Sequence, residues 1–332
     1  PPFMTSNTAI SAETIYPFAS YIPLIYESTP EHEPRKLGAY ISWVAIATTC
    51  VTSSMFLTAL APNLLAVDLI NKGTGHMISW GAWASIMLPL MIPLFLLTPW
   101  LVYVVYPPTQ KTSPEAPAWA AEELKKLGGI TSKELLMAGL AVVALALWIF
   151  SKDFGIDSTT TAISIVSNFD LANVITWDDV ISNKAAFNVL IWFASLVAMA
   201  AGLKKVGVLD WIGSSTEVYL SGMSPTMLIL SMLFLFFVLH YFFASTTAHT
   251  TALMPIFLAI AIKLMTPEQL IPFSILLAGS LGVMGIITPF ATGPSPIWYG
   301  AGYISQGRWW ALGAIFGALY LAAIIIGALI FI

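Results

Sequence analysis

Apolar runs that are too long for one simple helix, and that break at short clusters of small polar residues and proline, constrain this chain more than any other feature. Residues 38–71 and 226–262 each exceed the roughly 20 residues a helix needs to cross about 30 Å of hydrocarbon. The first is interrupted at TALAPN (58–63), the second at STTAHTT, and a third run, 270–304, at TPFATGPSP (288–296). Proline removes a helical hydrogen bond and small residues weaken the helix, so 38–71 and 270–304 read as broken helices. In 226–262 each arm alone is marginal for a crossing, and a re-entrant hairpin with the triplet Ser245-Thr246-Thr247 at its tip fits best.

Shorter spans fill the rest. Residues 9–26 form an apolar arm ending before ESTPEHEPRK, so 1–26 reads as the second arm of a first hairpin. Spans follow at 79–106, 131–150, 156–176, 186–203 and 308–331, with one long polar loop at 107–130 that carries the amphipathic AWAAEELKKL. Hydrophobic residues make up 58% of the chain and charged residues 9%, against about a quarter charged in soluble domains. Period-2 alternation is absent, so a barrel is disfavoured. The expectation is an all-α polytopic membrane protein. A chain that starts Pro-Pro inside a hydrophobic hairpin also reads as the C-terminal part of a longer protein.

The two halves repeat. Ser6-Asn7-Thr8 is followed by Pro17 and then by the interruption Ala61-Pro62-Asn63; Ser245-Thr246-Thr247 is followed by Pro255 and then by Gly293-Pro294-Ser295. With the hairpin not crossing, the second broken helix lies five crossings on from the first, so the two run in opposite directions and the repeat is inverted. The side holding the 27–37, 107–131, 177–185 and 305–308 loops collects more of the Lys and Arg residues, which puts the long loop in the cytoplasm.

Inverted repeats with paired broken helices are how secondary transporters build a mid-membrane site, because helix N-termini offer N–H groups to anions and unwound carbonyls hold cations. All thirteen Lys and Arg residues fall in loops or at span ends. An anion must then be met by hydroxyls, backbone N–H groups, helix dipoles and co-bound cations. His249 stands either near a substrate carboxylate or hydrogen-bonded within the hairpin, and His240 is the weaker candidate for titration. Glu13 and Asp68 are either proton-coupling carboxylates or, more simply, groups near helix ends that reach water. Trp43, Trp80, Trp100, Trp148, Trp309 and Trp310 fall near span ends and read as aromatic belts. The lone Cys50 and four scattered histidines exclude a disulfide framework and a structural metal site. No Gly-x-Ser-x-Gly, His-Glu-x-x-His or paired membrane aspartates occur, which argues against an enzyme. A cation/proton antiporter would carry buried carboxylates in the interrupted segments, and these carry only hydroxyls, an amide, glycine and proline.

PFMTSNTA, SSMFLTALAPN, HYFFASTTAHT and TPFATGPSPIWYGAGY resemble the divalent anion/sodium symporter family, and most closely its branch of citrate/succinate and tartrate/succinate antiporters and plastid 2-oxoglutarate/malate translocators. The resemblance runs from residue 1 to the C-terminus. It implies a transporter exchanging di- and tricarboxylates by an elevator movement, with a sodium-coupled symporter as the alternative. Substrate would meet Ser6, Asn7, Thr8, Ser245, Thr246, Thr247, Thr292, Gly293 and Pro294, and a cation would meet Ser6, Asn7, Thr58, Ala59, Asn63 and Ala291. The spans of 131–212 would form a scaffold, and further scaffold helices and a first hairpin arm would precede residue 1, so residues 1–332 alone would not transport. No cofactor and no nucleic acid are implied; a homodimer in a bacterial inner membrane, or alternatively a plastid inner envelope, is. Thr246 stands where the sodium symporters carry Asn, which favours exchange over sodium coupling. Ile10 follows Ala9 where close exchangers have Arg, and Glu13 lies in the same arm.

Overall fold

The computed structural model describes residues 15–112, 114, 116–150, 156, 158–182, 198–199, 202, 205–208, 211, 214–215 and 222–332. Ser6, Asn7, Thr8, Ile10, Glu13 and most of the 186–203 span lie outside the described residues. The chain is helical. In order, the helices are α1 (Tyr16–Ile25), α2 (Gly38–Met55), α3 (Ala61–Thr74), α4 (Trp80–Val105), α5 (Ala116–Leu127), α6 (Ser132–Ile149), α7 (Ser158–Leu171), α8 (Trp177–Ile181), α9 (Pro225–Leu239), α10 (Thr246–Leu264), α11 (Pro267–Val283), α12 (Pro294–Gly300) and α13 (Gln306–Phe331). Among the described residues, Trp80–Val105, Pro225–Phe242, Thr246–Leu264, Pro267–Ile286 and Gln306–Phe331 are long and apolar enough to cross a membrane by length and composition.

Two compact units emerge: Pro1–Ile78, Ala82–Thr109 and Ser195–Ile332 form one, and Ser79–Gly81 with Gln110–Ala194 the other. In the second, α6 and α7 pack together. A capping box starts α6, with Thr131 accepting from the Glu134 amide. Another starts α8, where the backbone and then the hydroxyl of Thr176 donate to the Asp179 carboxylate and hold it below the usual range. Leu135 and Val142 on α6 are 62% and 67% exposed, as lipid-facing side chains are.

In the first unit, α2 stops at Met55 because Phe56 is extended. A single tight turn, Leu57–Ala59, follows, Leu60 is extended again, and Pro62 sits in the first turn of α3 where its missing N–H costs nothing. The helix ends on Gly75, whose φ of 77° lets its amide reach the Asn71 carbonyl. The second interruption shares the tight turn, at Met284–Ile286 after α11 ends at Val283, and the opening proline, Pro294 of α12, but Val283, Ile287 and Gly293 beside them keep right-handed helical backbone angles. α2 packs on α11, α3 on α10, and α11 and α9 on α13.

Lipid is as apolar as leucine, so helices in a bilayer associate through close packing and hydrogen bonds rather than through water exclusion. That is visible along α13. A Cβ on Gly313 would meet the Ile287 carbonyl oxygen at 2.7 Å. Farther along the same face, Phe316 packs on Trp43 and the Tyr320 hydroxyl donates to the Ala47 carbonyl. Trp43 and Trp309 lie edge to face with centroids 5.0 Å apart, both fully buried. This corrects their reading as belt residues: position along a span sets depth, but rotation about its axis points these two rings inward. Trp100, 60% exposed, faces outward as a belt residue would.

A close contact joins the two breaks. The Val283 amide donates to Ser54 Oγ at 2.9 Å, and a Cβ on Gly282 would fall 2.7 Å from the Ser53 carbonyl carbon. Gly282→Ala is expected to lower the melting temperature of the purified protein by several degrees, in line with the roughly 1–3 kcal/mol of overpacking. Gly139→Ala on α6, where nothing lies within 4 Å, should leave it unchanged or raised. Fluorescence-monitored melting in detergent compares the two.

Candidate functional site

The interrupted segments leave carbonyls and amides without helical partners, deep in a protein whose surroundings offer little water. Side chains take up that role. Asn63, fully buried, turns its Nδ2 to the Ser53 carbonyl at 2.8 Å and the Phe56 carbonyl at 3.3 Å. Two carbonyl acceptors fix the amide's orientation, so Asn63 Oδ1 points the other way. It is buried and has no hydrogen-bond partner among the described residues. Thr58 and Ala59 lie in the tight turn beside it, both buried. Ser295 does for the second break what Asn63 does for the first: its hydroxyl donates to the Gly285 carbonyl at 3.2 Å.

The turn between α9 and α10, the expected tip of the second hairpin, meets the second unwound loop. α9 runs alongside α13, and past its end a tight turn at His240–Phe242 carries the chain to Ser245. Tyr241 stacks on Trp310 at 6.1 Å, and Phe290 of the unwound loop lies edge-on to the same ring at 6.0 Å. The tip is therefore beside the first turns of α13. Ser245 is the N-cap of α10, its Oγ accepting from the Ala248 amide at 3.4 Å, which leaves its own proton free to donate. Thr246 is buried, and its hydroxyl donates to the Ala291 carbonyl at 3.3 Å. His240 Nε2 reaches the same oxygen at 2.9 Å. Thr247 is half-buried; Thr292 and Pro294 are buried and Gly293 is exposed beside them.

Thr246 and Ala291 are thus in direct contact, and Thr292, Gly293 and Pro294 continue from that contact. Thr58, Ala59 and Asn63 gather at the other break, which Ser54 ties to α11. The partners expected from Ser6, Asn7 and Thr8 lie outside the described residues. His249 has no hydrogen bond within the hairpin among the described residues. Its ring sits edge-on to Phe236, His240 and Phe243 at 4.4, 4.9 and 5.1 Å, fully buried, and neither nitrogen has a hydrogen-bond partner among the described residues. Asp68 lies on α3 and pairs with Lys72 one turn on at 2.7 Å, both partly exposed, an arrangement that contributes little.

Two residues carry more of the geometry than their sequence signal suggested. Ser54 accepts from Val283 across 229 residues of sequence, and no local pattern encodes such a pairing. His240 precedes the tip by half a dozen residues, and only its place in HYFFASTTAHT, opposite TPFATGPSP, offered a hint.

Residues 1–331 match the family described as the sodium:sulfate symporter transmembrane region. Among curated proteins, the chain is 45% identical over 331 residues to the L-tartrate/succinate antiporter of Escherichia coli (strain K12), covering 99% of this chain and 67% of the relative. The proteins of the same name from Shigella boydii serotype 4 (strain Sb227) and Shigella flexneri match with the same identity and coverage. A membrane protein that is helical throughout its regular described elements, whose two interrupted helices interlock at their breaks, and whose sequence matches along nearly its whole length, belongs to the divalent anion/sodium symporter family.

Proposed function

We propose that this chain forms the substrate-binding part of a secondary antiporter that exchanges small di- and tricarboxylates, with succinate and tartrate the preferred pair and citrate, malate and 2-oxoglutarate as further members of the class. The observation that carries the reading is the junction of hairpin tip and unwound loop at the Ala291 carbonyl, joined to the high identity with antiporters of that specificity. The hydroxyls of Ser245, Thr246, Thr247 and Thr292 and the free N–H groups opening α10 meet one carboxylate. Ser6, Asn7 and Thr8 meet the other from the oppositely oriented repeat. A helix N-terminus and neutral donors suit an anion that must be released as readily as it is bound. The transport domain, with both hairpins and both broken helices, slides against the scaffold spans of 131–212 in an elevator movement. The protein works as a homodimer in the bacterial inner membrane, without a cofactor.

A second reading, sodium-coupled uptake, is favoured by one feature. Asn63 Oδ1, buried and unpartnered among the described residues, sits beside the Thr58-Ala59 turn as an oxygen ligand for a cation would.

Two measurements on the full-length protein in proteoliposomes test these readings. Vesicles preloaded with succinate should take up labelled tartrate or succinate by counterflow without sodium; uptake only with a sodium gradient, and none by counterflow, selects the symport reading instead. Ser245→Ala and Thr8→Ala should each cut exchange roughly ten- to hundredfold, the loss of one hydrogen bond to a charged group. Ser224→Ala supplies the control: Ser224 caps α9 just as Ser245 caps α10 but lies away from the tip, and its loss should leave exchange within about twofold. Equal defects in Ser224→Ala and Ser245→Ala would reduce Ser245 to a helix cap.

A further inference from the structure

We infer that His240 is a positioning residue: it holds the Ala291 carbonyl, so that the Thr246 hydroxyl can leave that carbonyl and turn to a bound carboxylate. The inference rests on the transport reading above and assigns a division of labour within that site. A hydroxyl has one proton, which goes either to the Ala291 oxygen or to a ligand. Were Thr246 the sole donor to Ala291, engaging a substrate would strand a fully buried carbonyl of the unwound loop, and the gain of one bond would be cancelled by the loss of another. His240 removes that conflict. Its contact is the shorter of the two, 2.9 Å against 3.3 Å.

The ring is built to stay where it is. A carbonyl only accepts, so Nε2 carries the proton that reaches Ala291. His240 is fully buried in the tight turn between the two arms. Its ring packs edge-on to His249 at 4.9 Å, and His249 is in turn caged by Phe236 and Phe243. Aromatic packing on this side leaves the imidazole one useful direction, toward Ala291. With Nε2 committed there, His240 is not itself a substrate ligand. Its effect passes through the loop that carries Thr292, Gly293 and Pro294.

Three substitutions separate this role from space filling. His240→Phe keeps an aromatic ring in the cage and removes the donor; His240→Leu removes both; His240→Gln keeps an N–H at about the same reach. Initial rates of succinate/tartrate counterflow, measured against substrate concentration with the full-length protein, give a half-saturating concentration that does not depend on how much protein inserts. The expected result is a rise of about tenfold for His240→Phe and His240→Leu, with maximal rate per inserted protein within about twofold, and recovery to within about twofold of wild type for His240→Gln. Wild-type affinity in His240→Phe would make the residue a space filler and overturn the inference. So would equal defects in Phe and Gln, or a fall in maximal rate at unchanged affinity. If the wild-type protein shows no counterflow at all, the transport reading itself fails, an outcome distinct from any of these.

Discussion

Every polar group of a backbone that unwinds inside a bilayer must find a partner within the protein, because the lipid offers none and an orphaned carbonyl or amide there costs several kcal/mol. The two helix breaks of this chain exist only because that demand is met locally. Asn63 closes the first by donating to the Ser53 and Phe56 carbonyls. Ser295 closes the second through the Gly285 carbonyl. Ser54 then joins them by receiving the Val283 amide at the end of α11. Small hydroxyls and amides do this work because they reach back to the backbone without needing space of their own.

Close approach is the second requirement. Ser54 can reach Val283 only because residue 282 lacks a side chain, and α13 can lie against the Ile287 carbonyl only because residue 313 does. Substituents at these points would separate the helices and open both breaks together. Glycine, which weakens helices in water, is tolerated here because the helices are long and the gain in packing exceeds the loss in propensity.

Much of this could be read from the chain, and the remainder could not, for definite reasons. The break positions were visible because Pro62 and Pro294 stand among small polar residues that weaken a helix, whereas Pro89, Pro93 and Pro99, set in a strongly apolar run, lie inside α4. The candidate site residues stand out in the sequence as small polar clusters at Ser6-Asn7-Thr8 and Ser245-Thr246-Thr247. Rotation was not: Trp43 and Trp309 lie near span ends and yet point into the packing, since hydropathy reports depth and not direction about the helix axis. Pairings between distant segments were also hidden. His240 and Ala291 are 51 residues apart and Ser54 and Val283 are 229 apart, and each pair involves a backbone group that every sequence possesses. Nor does length decide whether the two arms of the second hairpin cross or turn back, because each is long enough to span.

The sequence places all thirteen Lys and Arg residues in loops or at span ends, and that sets the energetics of what such a site can carry. A succinate or tartrate dianion held by hydroxyls and N–H groups keeps its two negative charges, and moving it alone across a membrane potential moves both. Each charge is worth about 2.3 kcal/mol per 100 mV, so unaccompanied inward movement against an interior-negative potential is opposed by a free energy comparable to what several hydrogen bonds supply. Two remedies exist. An equal dianion can travel the other way in the next step, which cancels the charge moved, or cations can bind alongside and neutralise it. A buried arginine would be a third, but it would leave an uncompensated charge to desolvate and move whenever the site is empty. Exchange and sodium coupling are therefore the two ways of balancing the dianion's charge. A site of neutral donors can move between them by gaining or losing a few oxygen ligands, such as the amide that Thr246 lacks at the tip and the one that Asn63 presents at the other break.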